Sequence, residues 1–120
     1  SLLQASHYKL NNLIVILDYN KLSSSGPVNE VINLEPIVDK FKAFSFHTIH
    51  IDGNDMQQVV NALNEAYTII DRPIAIIADT IKGKGVSFME NNPKWHSGAL
   101  LDEEYETAMR DLERAKEEIQ

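Results

Sequence analysis

The polar side chains that could do chemistry are concentrated where three predicted strands end. The apolar or β-branched runs over residues 13–17, 46–51 and 74–78 are each typical of a strand in a largely buried sheet. Ligands of open parallel sheets bind beyond the carboxyl ends of the strands. The segments that follow the three runs are Asp18-Tyr19-Asn20, Asp52-Gly53-Asn54-Asp55 and Asp79–Gly85.

These segments offer partners for a phosphate group and for a hard metal cation. Lys82 and Lys84 alternate with glycines, and lysines beside exposed backbone N–H groups suit a phosphate. The side chain of Asn20 and a loop carbonyl are oxygen ligands of the kind that Mg²⁺ or Ca²⁺ prefers. The pattern is not a P-loop, and no Gly-x-Gly-x-x-Gly follows a strand.

Among the histidines, His96 is the candidate for a site, because it stands in Trp95-His96-Ser97-Gly98 after the third strand. The other three histidines have no partner at metal-ligand spacing, so we interpret them as structural or exposed. Asp52 and Asp55 are interpreted as turn and cap residues. Asp18 precedes Asn20 by two residues, and we do not assign it to the metal.

The elements that must position these residues alternate between strand and helix. Asn33 is predicted to cap a helix that starts at Leu34, and Gly53-Asn54-Asp55 offers a cap for the next helix. Asp102 is predicted to cap a last helix. Strands separated by helices are parallel, so the sequence predicts a three-layer α/β/α sandwich with parallel strands. The inner face predicted for the last helix includes Tyr105, Ala108, Met109, Leu112 and Ile119.

The length and composition of the chain limit the classes of protein to which it can belong. The chain has 120 residues, which we interpret as a single domain over residues 1–120, and it contains no cysteine, which favours a cytoplasmic setting. The formal net charge is -7, and no basic patch of the kind a nucleic-acid binder needs is visible. No apolar run is long enough for a membrane span. We therefore expect neither a nucleic-acid partner nor a membrane.

The sequence resembles the thiamine-diphosphate-binding domain of transketolases. SHYKLNNLIVILDYNKLSSSGP is similar to the end of the family's cofactor motif, which opens with Gly-Asp-Gly and closes with an Asn after a buried strand. FHTIHIDGNDMQQVVNAL, RPIAIIADTIKGKGVSFMENNPKWHSGAL and DEEYETAMRDLE follow in the family's order. The resemblance covers about Ser6 to the C-terminus. It is greatest to split transketolases, which have a separate N-terminal subunit.

The resemblance implies a role for five residues. Asn20 would give its side-chain oxygen, and Leu22 its backbone carbonyl, to a Mg²⁺ (or Ca²⁺) that bridges the diphosphate of thiamine diphosphate. Lys82 matches a lysine near the cofactor, and Ser24 stands where relatives can have a glutamine. His96 matches a histidine over the diphosphate near the sugar substrate, and it is the catalytic candidate.

The same resemblance implies a function. The chain would be the second half of a Rossmann-like diphosphate-binding domain in a transketolase of the pentose phosphate pathway, which moves a two-carbon ketol unit between sugar phosphates. It would work as a homo-oligomer, a dimer, together with the remaining transketolase domains or a separate C-terminal subunit. Because Gly-Asp-Gly and the domain with the activating glutamate are missing from the sequence, we expect the isolated chain to be inactive.

Two alternatives stay open on the sequence alone. One is a different thiamine-diphosphate enzyme, such as a deoxyxylulose-phosphate synthase or a 2-oxoacid dehydrogenase component. The segments Trp95–Gly98 and Lys82–Gly85 favour transketolase over these. The other is a non-catalytic α/β module, a fold fragment or an interaction domain derived from such an enzyme, and the missing Gly-Asp-Gly supports it.

Overall fold

A computed structural model describes residues 1–119, without the side chain of Ile119. The predicted inner-face role of that side chain therefore lies outside the described residues. The strands are β1 (Ile14–Tyr19), β2 (Leu22–Ser23), β3 (Gly26–Pro27), β4 (His47–Asp52) and β5 (Ile74–Asp79). The α-helices are α1 (Leu2–His7), α2 (Val28–Val31), α3 (Ile37–Ala43), α4 (Met56–Thr68) and α5 (Asp102–Ile119), and a 3₁₀ helix covers Pro93–His96.

The chain forms two compact units. The first consists of Ser1–Asn20 and Ile32–Thr80, and it contains the sheet β1, β4 and β5 with helices α1, α3 and α4. The second consists of Lys21–Val31 and the residues from Ile81 onward. It contains the two-stranded antiparallel β2–β3 hairpin, the short helix α2, the 3₁₀ helix and α5.

The sheet of the first unit is parallel, with strand order β1-β5-β4. Chain order and spatial order differ, because the chain passes from β1 to the far strand β4 before it returns to β5 in the middle. Right-handed crossovers then place α3 and α4 on opposite faces of the sheet. The predicted α/β class with parallel strands is confirmed.

The core of this unit lies around β5. Ile74 and Ile77 have no exposed surface, because β5 is flanked by a strand on each side and covered on both faces. Helix α4 packs Ala62 and Ala66 against the sheet, and these small side chains let the helix approach Ile76 closely. On the edge strand β1, Ile16 keeps 61% of its surface exposed.

Helix α3 begins later than the sequence predicts. The side chain of Asn33 accepts a hydrogen bond from the Glu35 N–H at 2.9 Å, which makes a local turn over residues 33–35 in place of a helical cap. Glu35 then accepts from the Ile37 N–H at 3.0 Å, where α3 starts. The predicted start at Leu34 is therefore wrong by three residues.

Helix α5 also presents a different face from the predicted one. Asp102 is its first residue and not its cap, and Glu104 accepts from the Leu101 N–H at 2.8 Å. Ala108 is buried as predicted, but Tyr105, Met109 and Leu112 are 40–56% exposed. The side of α5 that meets its own unit includes Asp111, which accepts from the Ser87 N–H at 2.8 Å. The hydrogen bond between Asp111 and Ser87 therefore takes the place of part of the apolar contact predicted for α5.

In the described part of the chain, none of the helices is both long enough and apolar enough to cross a membrane.

Candidate functional site

In the first unit, the carboxyl ends of the three strands carry a linked set of polar side chains. The ring of His50 on β4 contacts Asp79 on β5, with 2.9 Å between Nε2 and Oδ2. Thr80 donates its hydroxyl to the carboxylate of Asp18, the next-to-last residue of β1. Neighbouring strands are thus joined by side chains at the edge where parallel sheets bind ligands.

Gly53 allows the close approach of two loops at this edge. A Cβ at Gly53 would lie 2.6 Å from Thr80 Cγ2 and 2.8 Å from Ala78 Cβ, both far inside van der Waals contact. The Gly53 N–H donates to the Asp79 carbonyl at 2.7 Å. Gly53, which the sequence places in the capping segment of the next helix, is therefore also required for packing at the end of β4.

Tyr19, the last residue of β1, is buried, and its hydroxyl donates to Glu35 Oε1 at 2.6 Å. The hydrogen bond to Glu35 holds the phenol in its neutral form, and burial adds to the effect, so the pKa of Tyr19 is raised to about 12. The end of β1 is thereby tied to the segment that leads into α3.

Asn20 follows directly and is half-buried, so the structure places this predicted ligand at the carboxyl end of β1. The next residue, Lys21, has a φ of 61°, in the left-handed region that few residues other than glycine adopt. The chain therefore turns sharply after Asn20.

In the second unit, Leu22 and Ser24 belong to the β2–β3 hairpin. Leu22 pairs with Pro27, and Ser24 lies exposed in the turn. The turn is held by Ser23, which accepts from the Ser25 N–H at 3.1 Å and donates to the Gly26 carbonyl at 3.2 Å. The side chain of Ser24 is short and exposed. Its predicted contact with the cofactor stays a prediction.

Lys82 opens a tightly folded loop of the second unit. The Asn91 N–H donates to the Lys82 carbonyl at 3.0 Å and closes the loop. Gly83 has a φ of 71°, and a Cβ there would lie 2.6 Å from the Met89 carbonyl oxygen. Lys84 pairs with Glu90 at 3.5 Å. The glycines next to the lysines thus serve this chain reversal.

The pKa of Glu90 is lowered, first by the hydrogen bond it accepts from the Gly85 N–H at 3.0 Å and also by Lys84. Lys84 is thus engaged within the loop. Lys82 is half-buried at the start of the loop and remains the better candidate for a cofactor contact.

His96 is the last residue of the 3₁₀ helix and is exposed. The adjacent Trp95 packs edge-on against Phe88, with 5.3 Å between ring centroids. Both aromatic residues line an open cleft of about 550 Å³, whose other lining residues are Asn92, Lys94, Ser97, Glu103, Glu104 and Thr107. The segment that carries His96 is thus held by an aromatic pair within the second unit.

Comparison with known proteins decides the family. The transketolase thiamine-diphosphate-binding domain matches residues 1–117, nearly the whole chain. The chain belongs to the transketolase family. This confirms the resemblance seen in the sequence and makes the thiamine-diphosphate-binding domain the part of a transketolase that the chain represents.

Individual transketolases show how much of the whole protein the chain covers. An apulose-4-phosphate transketolase subunit of Phocaeicola vulgatus is 36% identical over 115 residues, which are 96% of this chain and 41% of the relative. The 6-deoxy-6-sulfo-D-fructose transketolase subunit SqwG of a Clostridium species is 38% identical over 106 residues, 88% of this chain and 38% of the relative. The chain therefore spans about two fifths of these transketolase subunits.

A solved transketolase shares the fold. The crystal structure of the Campylobacter jejuni transketolase superposes with a TM-score of 0.85 at 32% identity, covering 92% of this chain and 17% of that protein. The similarity in structure and the match in sequence support the same assignment.

Two interactions at the sheet edge go beyond what the sequence of the chain indicates. His50, which the sequence suggests is structural or exposed, pairs with Asp79 across 29 positions. Glu35, which no sequence motif singles out, holds Tyr19 across 16 positions. An acidic or aromatic residue at the last position of a strand, such as Asp79 or Tyr19, is the sequence feature that could indicate such an interaction. Nothing in the sequence identifies the partner of that residue.

Proposed function

We propose that the chain supplies the diphosphate-binding and metal-binding part of a transketolase. The observation that carries the proposal is the position of Asn20 at the carboxyl end of β1, in a chain that matches the transketolase cofactor domain over residues 1–117. Thiamine diphosphate, when bound, supplies the carbon nucleophile that accepts and passes on a two-carbon ketol unit. The protein supplies position and charge.

The residues fit a hard divalent cation. Asn20 would donate its side-chain oxygen and Leu22 its carbonyl oxygen, and Mg²⁺ and Ca²⁺ both prefer oxygen ligands. The described residues contain no group of three His, Asp or Glu side chains placed to hold a metal. The two proposed donors, an amide oxygen and a backbone carbonyl, are both neutral, so phosphate oxygens and other residues would have to supply the remaining ligands and the negative charge.

The other three residues are assigned roles around the diphosphate. Lys82 would neutralise part of its charge, and Ser24 would lie near the cofactor with a short hydroxyl side chain. His96 would contact the sugar phosphate at the outer side of the diphosphate and is the catalytic candidate of this chain. Its exposure in a segment held by Trp95 suits a residue that must meet a substrate from solvent.

We infer that the chain works with the remaining parts of a transketolase. Two relatives are named as subunits of transketolases, which indicates that such enzymes can be divided between chains. A separate C-terminal subunit or further domains would therefore complete the site. We propose a homo-oligomer as the assembly and sugar phosphates as the substrates. The proposed location is the cytoplasm. Ketol transfer in the pentose phosphate pathway is the reaction we assign to that assembly.

The proposal is tested by two variants in the full-length protein. Asn20→Ala should weaken the binding of Mg²⁺ with thiamine diphosphate by at least about tenfold, because an oxygen is lost from a cation that needs near-octahedral coordination. The fold should change little, since a loop residue leaves no core cavity. Calorimetric titration of cofactor affinity and thermal unfolding measure the two effects.

His96→Ala is the matched comparison. It should leave cofactor affinity nearly unchanged and reduce turnover or raise the KM for the sugar phosphate. If Asn20→Ala bound the cofactor normally while His96→Ala lost it, the two roles would be reversed and the assignment of both residues would be wrong.

A non-catalytic α/β module derived from the enzyme is the second candidate function. Absence of thiamine-diphosphate binding by the unchanged full-length protein would favour it.

A further inference from the structure

The end of β1 is held by a hydrogen bond between two side chains. Tyr19 keeps only 8% of its surface exposed, and its hydroxyl reaches Glu35 Oε1 at 2.6 Å. A hydrogen bond from a phenol to a carboxylate is charge-assisted and therefore stronger than one between neutral groups. The contact joins two points of the first unit that are 16 residues apart.

Glu35 is itself held in place by its surroundings. Its second oxygen, Oε2, accepts from the Ile37 N–H at 3.0 Å at the start of α3. Its own N–H donates to Asn33 Oδ1 at 2.9 Å. The carboxylate is thus oriented by a helix start on one side and by a side-chain turn on the other, and it presents a fixed acceptor to Tyr19.

This arrangement acts on the residue that the proposed function makes a metal ligand. Tyr19 and Asn20 are consecutive, and Lys21 after them has a φ of 61°. Asn20 is bonded directly to Tyr19, the last residue of β1, so fixing the ring and the backbone of Tyr19 limits the directions that the side chain of Asn20 can take. A ligand oxygen must be held within a fraction of an ångström for a cation with strict geometry.

We propose that Tyr19 and Glu35 are positioning residues that hold Asn20 in the orientation for metal binding. This inference rests on the proposed function, because it needs Asn20 to be a ligand. Neither residue touches the cation or the cofactor in this proposal. They act in the way that outer partners of metal ligands act, by fixing the orientation of the ligand before the cation arrives.

The variant that tests the inference is Tyr19→Phe, which keeps the buried ring and removes only the hydroxyl. In the full-length protein it should weaken the binding of Mg²⁺ with thiamine diphosphate about tenfold. Glu35→Ala, which also removes the acceptor of the Ile37 N–H, should weaken binding at least as much. The double variant should add little to Glu35→Ala, because that change already removes the contact with Tyr19. Tyr8→Phe, which removes the hydroxyl of a tyrosine that is 68% exposed, is the matched control.

A second measurement needs neither cofactor nor activity. Amide hydrogen exchange of the 120-residue chain should become faster at residues 20–22 in Tyr19→Phe, while the amides of the buried strand β5 exchange at the rate of the unchanged chain. If β5 exchanged faster by the same factor, the hydrogen bond would serve general stability alone and the inference would be wrong.

Asn20→Ala separates this inference from the proposed function. If Asn20→Ala weakens cofactor binding and Tyr19→Phe binds like Tyr8→Phe, the positioning role is wrong and the proposed function stands. If Asn20→Ala binds normally, Asn20 is not a ligand and both fail. Loss in Asn20→Ala and in Tyr19→Phe, with local faster exchange, supports both.

Discussion

Asp55 is a single residue on which the start of α4 depends. Its carboxylate accepts from the Gln57 N–H at 2.9 Å and from the Gln58 N–H at 3.3 Å, and Gln58 Nε2 adds a third contact at 2.9 Å. These hydrogen bonds, led by the one from the Gln58 side chain, lower the pKa of Asp55 below its ordinary 3.8. The cap therefore works best with an ionised carboxylate.

The lowered pKa gives a prediction with a definite sign. Because the folded state binds the proton of Asp55 less well, its stabilising effect is present above pH 3.8 and is lost as the pH falls through the lowered pKa. Asp55→Ala should lower the melting temperature by a few degrees at neutral pH. The difference from the unchanged chain should shrink when thermal unfolding is measured in increasingly acidic buffer.

Asp55→Asn is the control, because asparagine also caps helices but has no charge to titrate. It should keep most of the stability at neutral pH. A difference between Asp55→Ala and the unchanged chain that stayed constant through the acid range would contradict the prediction.

At the scale of an element, the loop that starts at Lys82 depends on one glycine. Gly83 has a φ of 71°, and a Cβ added there would lie 2.6 Å from the carbonyl oxygen and 2.7 Å from the carbonyl carbon of Met89. Gly83→Ala should therefore cost at least about 2 kcal/mol of unfolding free energy, from the backbone conformation and the overlap together. Denaturant unfolding measures the loss.

Gly85→Ala in the same loop separates the two causes. Gly85 has a φ of 94°, but a Cβ there would meet only Leu112 Cδ2 at an ordinary 3.5 Å. Its alanine variant should lose less stability than Gly83→Ala. Equal losses would mean that backbone conformation alone accounts for the effect and that the approach of Met89 is unimportant.

At the scale of the whole molecule, the chain corresponds to only part of its transketolase relatives. It spans 41% of the Phocaeicola vulgatus subunit and 17% of the Campylobacter jejuni transketolase chain, and its sequence contains no Gly-Asp-Gly. We predict that the purified chain does not turn over ketose and aldose phosphates. A coupled assay with an intact transketolase in parallel measures this, and steady turnover by the chain alone would contradict it.

The same reasoning predicts weak cofactor binding by the isolated chain. Two neutral oxygen donors and one lysine leave much of the charge of the diphosphate facing water, where electrostatic attraction is small. Calorimetric titration with Mg²⁺ and thiamine diphosphate should show no micromolar binding. Micromolar affinity would mean that the chain, or its self-association, completes more of the site than we propose.

The sequence alone determined the class of fold and the positions at which chemistry was expected. Unbroken apolar runs predicted β1 and β5 to within about two residues, because a strand buried in a sheet needs apolar residues on both faces. A run rich in β-branched and aromatic residues predicted β4 to within one residue. Asn20 and Lys82 follow such runs, so their place after strand ends could be predicted from their neighbours in the chain. These features depend on residues that are close together in the chain, so they can be identified from the sequence alone.

Only the tertiary structure decided which distant residues meet. The place of β5 at the centre of the sheet, the pairing of His50 with Asp79 and the hold of Glu35 on Tyr19 join residues 16 to 60 positions apart. The exposed face of α5 was likewise set by contacts with another segment, such as the hydrogen bond that Asp111 accepts from the Ser87 N–H. Each depends on how elements pack, and many partners for one side chain are equally compatible with the sequence until the chain has folded.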